Sequence, residues 1–204
     1  MRVVKVGIMG GTFNPIHVGH LILGQAAYEQ FELDKVLFMP TKKPPHKLQE
    51  KILSDRIRAE MVQCAIADNP KFELSTIELD RDGITYTADT LTELKSVNKD
   101  TQYYFIIGAD SLFYIDKWKD PERIFQLSHV VASTRYHLDE EQMRKQIDSL
   151  NQIFKSDIQL LNAPNVDVSS SDIRERVRNG SSIKYFVTKE VETYIRLNKC
   201  YIDE

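Results

Sequence analysis

Residues 10–20 read Gly10-Gly11-Thr12-Phe13-Asn14-Pro15-Ile16-His17-Val18-Gly19-His20, and their types and spacing suit phosphate chemistry. The stretch follows a run of β-branched residues and precedes a helix-forming one, so it falls where a buried strand hands over to a helix N-terminus. Free backbone N–H groups at such a junction favour an anion. Gly10 and Gly11 let a phosphate approach the main chain closely. His17 and His20, three apart on the first helical turn, can face one ligand and donate hydrogen bonds to its oxygens. An HxxH pair can also hold a metal, but no Cys, third His or HExxH glutamate accompanies it, and no protein-held metal is expected. The pattern is neither GxGxxG nor GxxxxGK[ST], which argues against a dinucleotide fingerprint and a P-loop.

A second phosphate element is legible near residue 170. Ser169, Ser170 and Ser171 precede Ile173 and Val177, placing hydroxyls and free N–H groups at a helix start, with the planar donor fork of Arg174 in its first turn. Taken alone, the same pattern describes an N-capped surface helix. Gly108-Ala109-Asp110-Ser111 follows an apolar run, so Asp110 is expected at the ligand-facing end of a strand, accepting from ribose hydroxyls or capping a helix. Trp118, the single tryptophan, lies between Lys117 and Lys119, as a partly exposed stacking surface would, although packing at the domain edge accounts for it equally. Lys42, Lys43, His46 and Lys47 form a basic loop that by itself reads as a solvated face.

The pattern GGTFNPIHxGH resembles the HxGH signature of the nucleotidyltransferase superfamily and, in this long form, the bacterial nicotinate-nucleotide adenylyltransferases. Four further segments resemble the same family in the same order. These are PTKKPPHK at Pro40–Lys47, TYTADTL at Thr85–Leu91, IGADSL with its following tryptophan at Ile107–Trp118, and SSSDIR at Ser169–Arg174. One departure is Arg135-Tyr136-His137, where the family often has an Arg-Pro-Gly turn.

The resemblance implies transfer of the adenylyl group of ATP to nicotinate mononucleotide, giving deamido-NAD and pyrophosphate in NAD biosynthesis. It implies catalytic roles for His17, His20, Lys47 and Arg174. ATP would lie on Gly10, Gly11, Thr12 and Phe13 with the two histidines, on Gly108 and Asp110, and on Ser169, Ser170 and Arg174. The mononucleotide would meet Asn14, His46, Lys47 and Arg135, with Thr85 near its carboxylate and Trp118 stacked on its ring. Mg²⁺ would ride mainly on the ATP phosphates and water. The rival readings are another nucleotidyltransferase, acting on phosphopantetheine or an alcohol phosphate, and a nucleotide sensor without turnover.

These residues need a scaffold, and the rest of the sequence describes one. Val3 to Met9, Val36–Met39, Tyr103–Ile107, Val130–Ala132 and Ile158–Leu161 read as short strands, the first buried on both faces. Between them the spacing predicts helices over Val18–Phe31, after Ser54 with Ile57, Met61, Cys64 and Ala65 inward, and from an Asp139/Gln142 capping box through Met143, Ile147 and Leu150. Two more follow Ser169 and Thr188, the last with Val191, Tyr194 and Ile195 inward. Strands alternating with helices imply an α/β fold, a Rossmann-like doubly wound parallel sheet with ligands at the strands' carboxyl ends.

With 204 residues, 42% of them hydrophobic and 28% charged, the chain suits one domain over residues 1–204, its helices from Ser169 onward carrying the second phosphate element. Lys+Arg 27 against Asp+Glu 30 leaves a net charge of −3, so no basic field draws in nucleic acid or an anionic membrane, and neither is expected as a partner. No apolar run approaches the roughly 20 residues of a bilayer span, and Met1–Gly11 lacks the features of a signal peptide. Cys64 and Cys200 match neither a disulfide framework nor CxxC spacing, so a cytoplasmic location is expected. A homo-oligomer is compatible with the sequence.

Overall fold

The computed structural model describes residues 2–42, 52–133 and 140–202. Six strands, β1 (Lys5–Gly11), β2 (Lys35–Pro40), β3 (Phe72–Leu74), β4 (Gln102–Gly108), β5 (His129–Ser133) and β6 (Gln159–Leu161), form one sheet in the order β3-β2-β1-β4-β5-β6. Every pairing is parallel. The expected doubly wound sheet is therefore present, and the order reverses between β1 and β4, where such sheets open a crevice at their carboxyl ends.

Eight helices connect the strands among the described residues: α1 (Val18–Gln30), α2 (Asp55–Ile66), α3 (Thr87–Val97), α4 (Ala109–Leu112), α5 (Pro121–Leu127), α6 (Glu140–Phe154), α7 (Ser170–Arg178) and α8 (Lys189–Leu197). Side chains alternate across the sheet with the strand period of two. Met9, Tyr104 and Ile106 pack with α1, α2, α7 and α8, whereas Ile8, Phe105 and Ile107 pack with α3 to α6. The apolar strands of the sequence are thus buried on both faces. Helix α1 approaches the sheet through small residues: Gly19, Gly24 and Ala27 are its buried positions. A Cβ on Gly24 would stand 2.8 Å from the Phe38 ring.

Several expectations shift. The first strand begins at Lys5, and Val3 and Val4 are exposed. On α2 the buried face is Arg58, Met61, Val62, Ala65 and Ile66, whereas Ile57 and Cys64 are only half-buried. Helix α6 carries Met143, Ile147 and Leu150 inward, while Asp139 of its expected capping box lies outside the described residues. The sequence does not announce β3, α3 or α5, and it offers α4 only as the helix that Asp110 would cap.

Candidate active site

The turn from β1 to α1 is held from behind. Arg58 on α2 is fully buried, and its guanidinium donates to the carbonyls of Thr12 at 2.6 Å and Leu53 at 3.1 Å and to Asp55 at 2.6 Å. A buried cation needs such full pairing. Because the peptide is planar and trans, a Thr12 carbonyl turned to Arg58 sends the Phe13 N–H the opposite way. Phe13 itself adopts a left-handed φ of 49°. Its ring is buried, edge-on to His20 at 5.0 Å and tilted against Phe38 at 6.3 Å.

Next, His17 is the N-cap of α1 and His20 its third residue, and the two rings stack at 3.7 Å. The backbone N–H of His17 donates to His20 Nδ1 at 3.3 Å. A neutral His20 ring therefore carries its proton on Nε2, as a donor. The glycine between them has a steric reason, since a Cβ on Gly19 would lie 3.0 Å from His17 Nδ1.

Two hydrogen bonds spanning more than 150 residues clamp α7 onto this turn. Ser170 Oγ donates to the Pro15 carbonyl at 2.8 Å and Arg174 Nη1 to the Asn14 carbonyl at 2.9 Å. Ser169 caps α7, accepting from the Asp172 N–H at 3.1 Å. Asn14 is 4% exposed and faces inward: its Oδ1 accepts from the Leu53 N–H at 3.4 Å and the Tyr201 hydroxyl at 3.0 Å.

At the end of β4 the helix cap is Gly108, so Asp110 is an exposed residue in the first turn of α4 and not its cap. Trp118 is half-buried, edge-on to Phe105 at 6.2 Å. Thr85 is 3% exposed, just ahead of α3. Glu78 and Thr90 lie beside it, joined by a hydrogen bond of 2.8 Å from the Thr90 hydroxyl. Burial pushes the Glu78 carboxyl above the usual carboxylate range, against hydrogen bonds from Thr90, Thr41 and Thr85 and the charge of Arg81.

These groups surround a cavity of about 680 Å³ at the carboxyl ends of β1 and β4, a size that suits a small-molecule ligand of roughly 300–1,000 Å³. Of the expected site residues, Gly10, Gly11, Thr12, His17, His20, Thr85, Gly108, Asp110, Trp118 and Ser169 line it. Phe13, Asn14, Ser170 and Arg174 are absent from its lining, and the last three tie the turn to α7, Leu53 and Tyr201. His46, Lys47 and Arg135 lie outside the described residues, as does Lys43. Lys42, the described part of that basic loop, pairs with Asp82 at 3.4 Å. Among the described residues, no three His, Cys, Asp or Glu side chains gather as metal ligands.

Residues 8–176 match the cytidylyltransferase-like family. The chain is 48% identical over 198 residues to a protein of Lachnoclostridium phytofermentans named "probable nicotinate-nucleotide adenylyltransferase", covering 97% of this chain and 99% of that one. The chain belongs to the nicotinate-nucleotide adenylyltransferase family. A relative of the same name from Thermoanaerobacter is 41% identical, with 98% of this chain and 95% of the relative covered. Among solved structures, Plasmodium falciparum nicotinic acid mononucleotide adenylyltransferase complexed with NaAD superposes with a TM-score of 0.79 at 20% identity, over 97% of each chain. That likeness is one of fold.

Two buried charged residues of this family member, Arg58 and Glu78, are not announced by the sequence. Arg58 sits at helical spacing from Met61, Val62 and Ala65, yet a charge in an amphipathic helix reads as solvent-facing. Glu78 belongs to a segment without hydrophobic periodicity. The nearby threonines and the TYTADTL segment were the available signal for it.

Proposed function

We propose that the chain transfers the adenylyl group of ATP to nicotinate mononucleotide in NAD biosynthesis, as one nucleotidyltransferase domain over residues 1–204 acting in the cytoplasm. An oxygen of the mononucleotide 5′-phosphate attacks the α-phosphorus of ATP in line. The new P–O bond forms as the α–β bridging bond breaks, and pyrophosphate leaves with that electron pair. A phosphate monoester is already an adequate nucleophile, so positioning and charge stabilisation supply the catalysis. His17 and His20 donate to the phosphates. Ser169, Ser170 and Arg174 hold the β- and γ-phosphates at the head of α7, with Gly10 to Phe13 alongside. Asp110 and Gly108 take the ribose, and Trp118 stacks on the pyridine ring near Thr85. Lys47 assists the transfer, while His46 and Arg135 serve the mononucleotide and Asn14, its side chain turned to Leu53 and Tyr201, holds the turn beside it.

Mg²⁺ would be carried mainly by the nucleotide, since the ion keeps phosphate oxygens and water as most of its ligands. Held there, it would supply neutralisation of the charge that develops on the leaving pyrophosphate.

The observation that carries this reading is the clamp of α7 on the β1–α1 turn, which brings two helix N-termini to one crevice. Pyrophosphate release measured with ATP and a panel of phosphates tests it. Turnover is expected with nicotinate mononucleotide; turnover only with phosphopantetheine or an alcohol phosphate, or ATP binding with none, overturns it.

A further inference from the structure

Trp118 stands between two lysines, and the proposed transfer uses neither of them. Lys117, Trp118 and Lys119 line the cavity, as do Thr85, Tyr86 and Thr87 at the head of α3. The two lysines differ in where they reach. Lys117 stays within its own turn, its Nζ 5.2 Å from the centre of the Tyr114 ring. Lys119 crosses to α3: its Nζ donates to Asp89 Oδ2 at 2.9 Å and Oδ1 at 3.3 Å, and it stands over the Tyr86 ring, 4.4 Å from its centre. Both partners belong to the start of that helix, Tyr86 as its N-cap and Asp89 in its first turn. A cation that meets a carboxylate and a ring face together is fixed in direction as well as distance.

Residues 118–120 connect a short 3₁₀ turn, Ile115–Lys117, to α5. The elements on either side have anchors of their own. Ile115 and Ile124 are fully buried, and Arg123 of α5 donates to Thr92 Oγ1 of α3 at 3.4 Å. Within the connector, Trp118 is extended, with φ −71° and ψ 164°. Asp120 turns to α5, accepting from the Arg123 N–H at 3.3 Å, while Lys119 turns to α3. The Lys119 tie therefore bears on where Trp118 stands relative to α3 more than on whether the two helices pack.

We propose that Lys119 is a positioning residue for the mononucleotide: its side chain, held by Asp89 and Tyr86, straps the Trp118 connector to the head of α3 and so sets the width of the slot that the pyridine ring enters. This rests on assigning that end of the cavity to nicotinate mononucleotide. Width matters because a gap of about 0.5–1 Å forfeits roughly a quarter to a half of a van der Waals contact. A connector that meets the ring correctly for a fraction of the time weakens apparent affinity by that fraction. The Lys119 and Asp89 side chains are 50% and 46% exposed, and a pair so exposed adds little to folding. Its loss should register in binding and not in stability.

The test compares wild type with Lys119→Met, Lys119→Arg, Asp89→Asn and the double variant Lys119→Met/Asp89→Asn. Wild type is assayed first: no dinucleotide from ATP and nicotinate mononucleotide sinks the proposed function itself, and this inference with it. With wild type active, Lys119→Met should raise the KM for nicotinate mononucleotide about five-fold, the most that an exposed ion pair with a cation–π contact is expected to hold. The KM for nicotinamide mononucleotide should rise by the same factor. The kcat and the KM for ATP should stay within about two-fold, and the unfolding midpoint should match wild type. Trp118 is the single tryptophan, so its fluorescence reports the connector directly. In Lys119→Met and Asp89→Asn alike, emission should move to longer wavelength and acrylamide should quench it more readily. Lys119→Arg, still able to meet carboxylate and ring, should behave as wild type, and the double variant should add nothing to either single one.

Direct attraction between the ammonium and the ring carboxylate predicts a different pattern. Lys119→Met would then weaken the acid alone, and Asp89→Asn, by freeing the cation, would tighten it. Either of those results overturns the inference. So does an unchanged mononucleotide KM or unchanged Trp118 emission in Lys119→Met, or a fall in kcat, ATP affinity and midpoint together. Should Lys119→Met not fold, Asp89→Asn decides alone: folded with a normal mononucleotide KM, it refutes the strap.

Discussion

At the scale of single residues, the stacked histidine pair makes the sharpest demand. His20 Nδ1 is occupied by the His17 N–H, so its remaining nitrogen is a fixed donor, and such a donor matters most where charge develops. His20→Ala should lower kcat about 10² to 10⁴-fold, the range for one well-placed transition-state group, while circular dichroism stays native. Near-normal turnover in the folded variant removes His20 from phosphate stabilisation. Trp118 is exposed enough to stack on a ring. Trp118→Ala should weaken the acid and amide mononucleotides alike, because stacking is blind to the difference. The wild-type preference for the acid should be on the order of 10² in kcat/KM, from two charge-assisted bonds of roughly 1.5 kcal/mol each; equal values for the two substrates exclude a carboxylate-reading pocket.

At the scale of elements, the head of α7 is fastened to the loop it serves. Arg174 places one guanidinium nitrogen on the Asn14 carbonyl, so its loss should both remove a phosphate donor and loosen the turn. Arg174→Ala should raise the KM for ATP and lower kcat with little effect on mononucleotide binding. Lysine should not rescue it, lacking the planar fork that serves carbonyl and phosphate together. Titrations with normal ATP affinity but weakened mononucleotide binding assign Arg174 to the other substrate.

The element scale also shows what the sequence makes legible. β1, β4 and the starts of α1, α2 and α7 could be read because apolar runs, glycines and Ser caps are local signals. Helix α3 was missed because Ala88, Thr90, Leu91 and Leu94, its buried positions, form a weakly apolar stripe. Arg58 and Glu78 were missed for a different reason: their burial is compensated by partners remote in the chain, Thr12 and Thr90, and no periodicity records such a partner.

At the scale of the whole molecule, the site depends on residues remote from it in the chain. Tyr201 is buried and donates to Asn14, whose carbonyl in turn accepts from Arg174. Tyr201→Phe keeps the ring and removes one buried hydrogen bond, a loss of about 1 kcal/mol that should lower the unfolding midpoint by about 2–4 °C in a chain of this size. Turnover should fall with it by several-fold if the turn loosens. A midpoint equal to wild type in differential scanning calorimetry shows that the hydroxyl contributes nothing there.

The Tyr201–Asn14 bond spans 187 positions, and a ribosome emits residues in order. At about 5–20 residues per second, some 10–40 s separate the synthesis of the loop from that of its last hydrogen-bond partner. During translation the GGTFNPIHVGH segment emerges well ahead of Tyr201, so its Asn14 side chain acquires this contact only after the chain between them has been made. The turn is thus fastened late in the birth of the molecule, and a nascent chain halted between the two residues carries the signature without this tie.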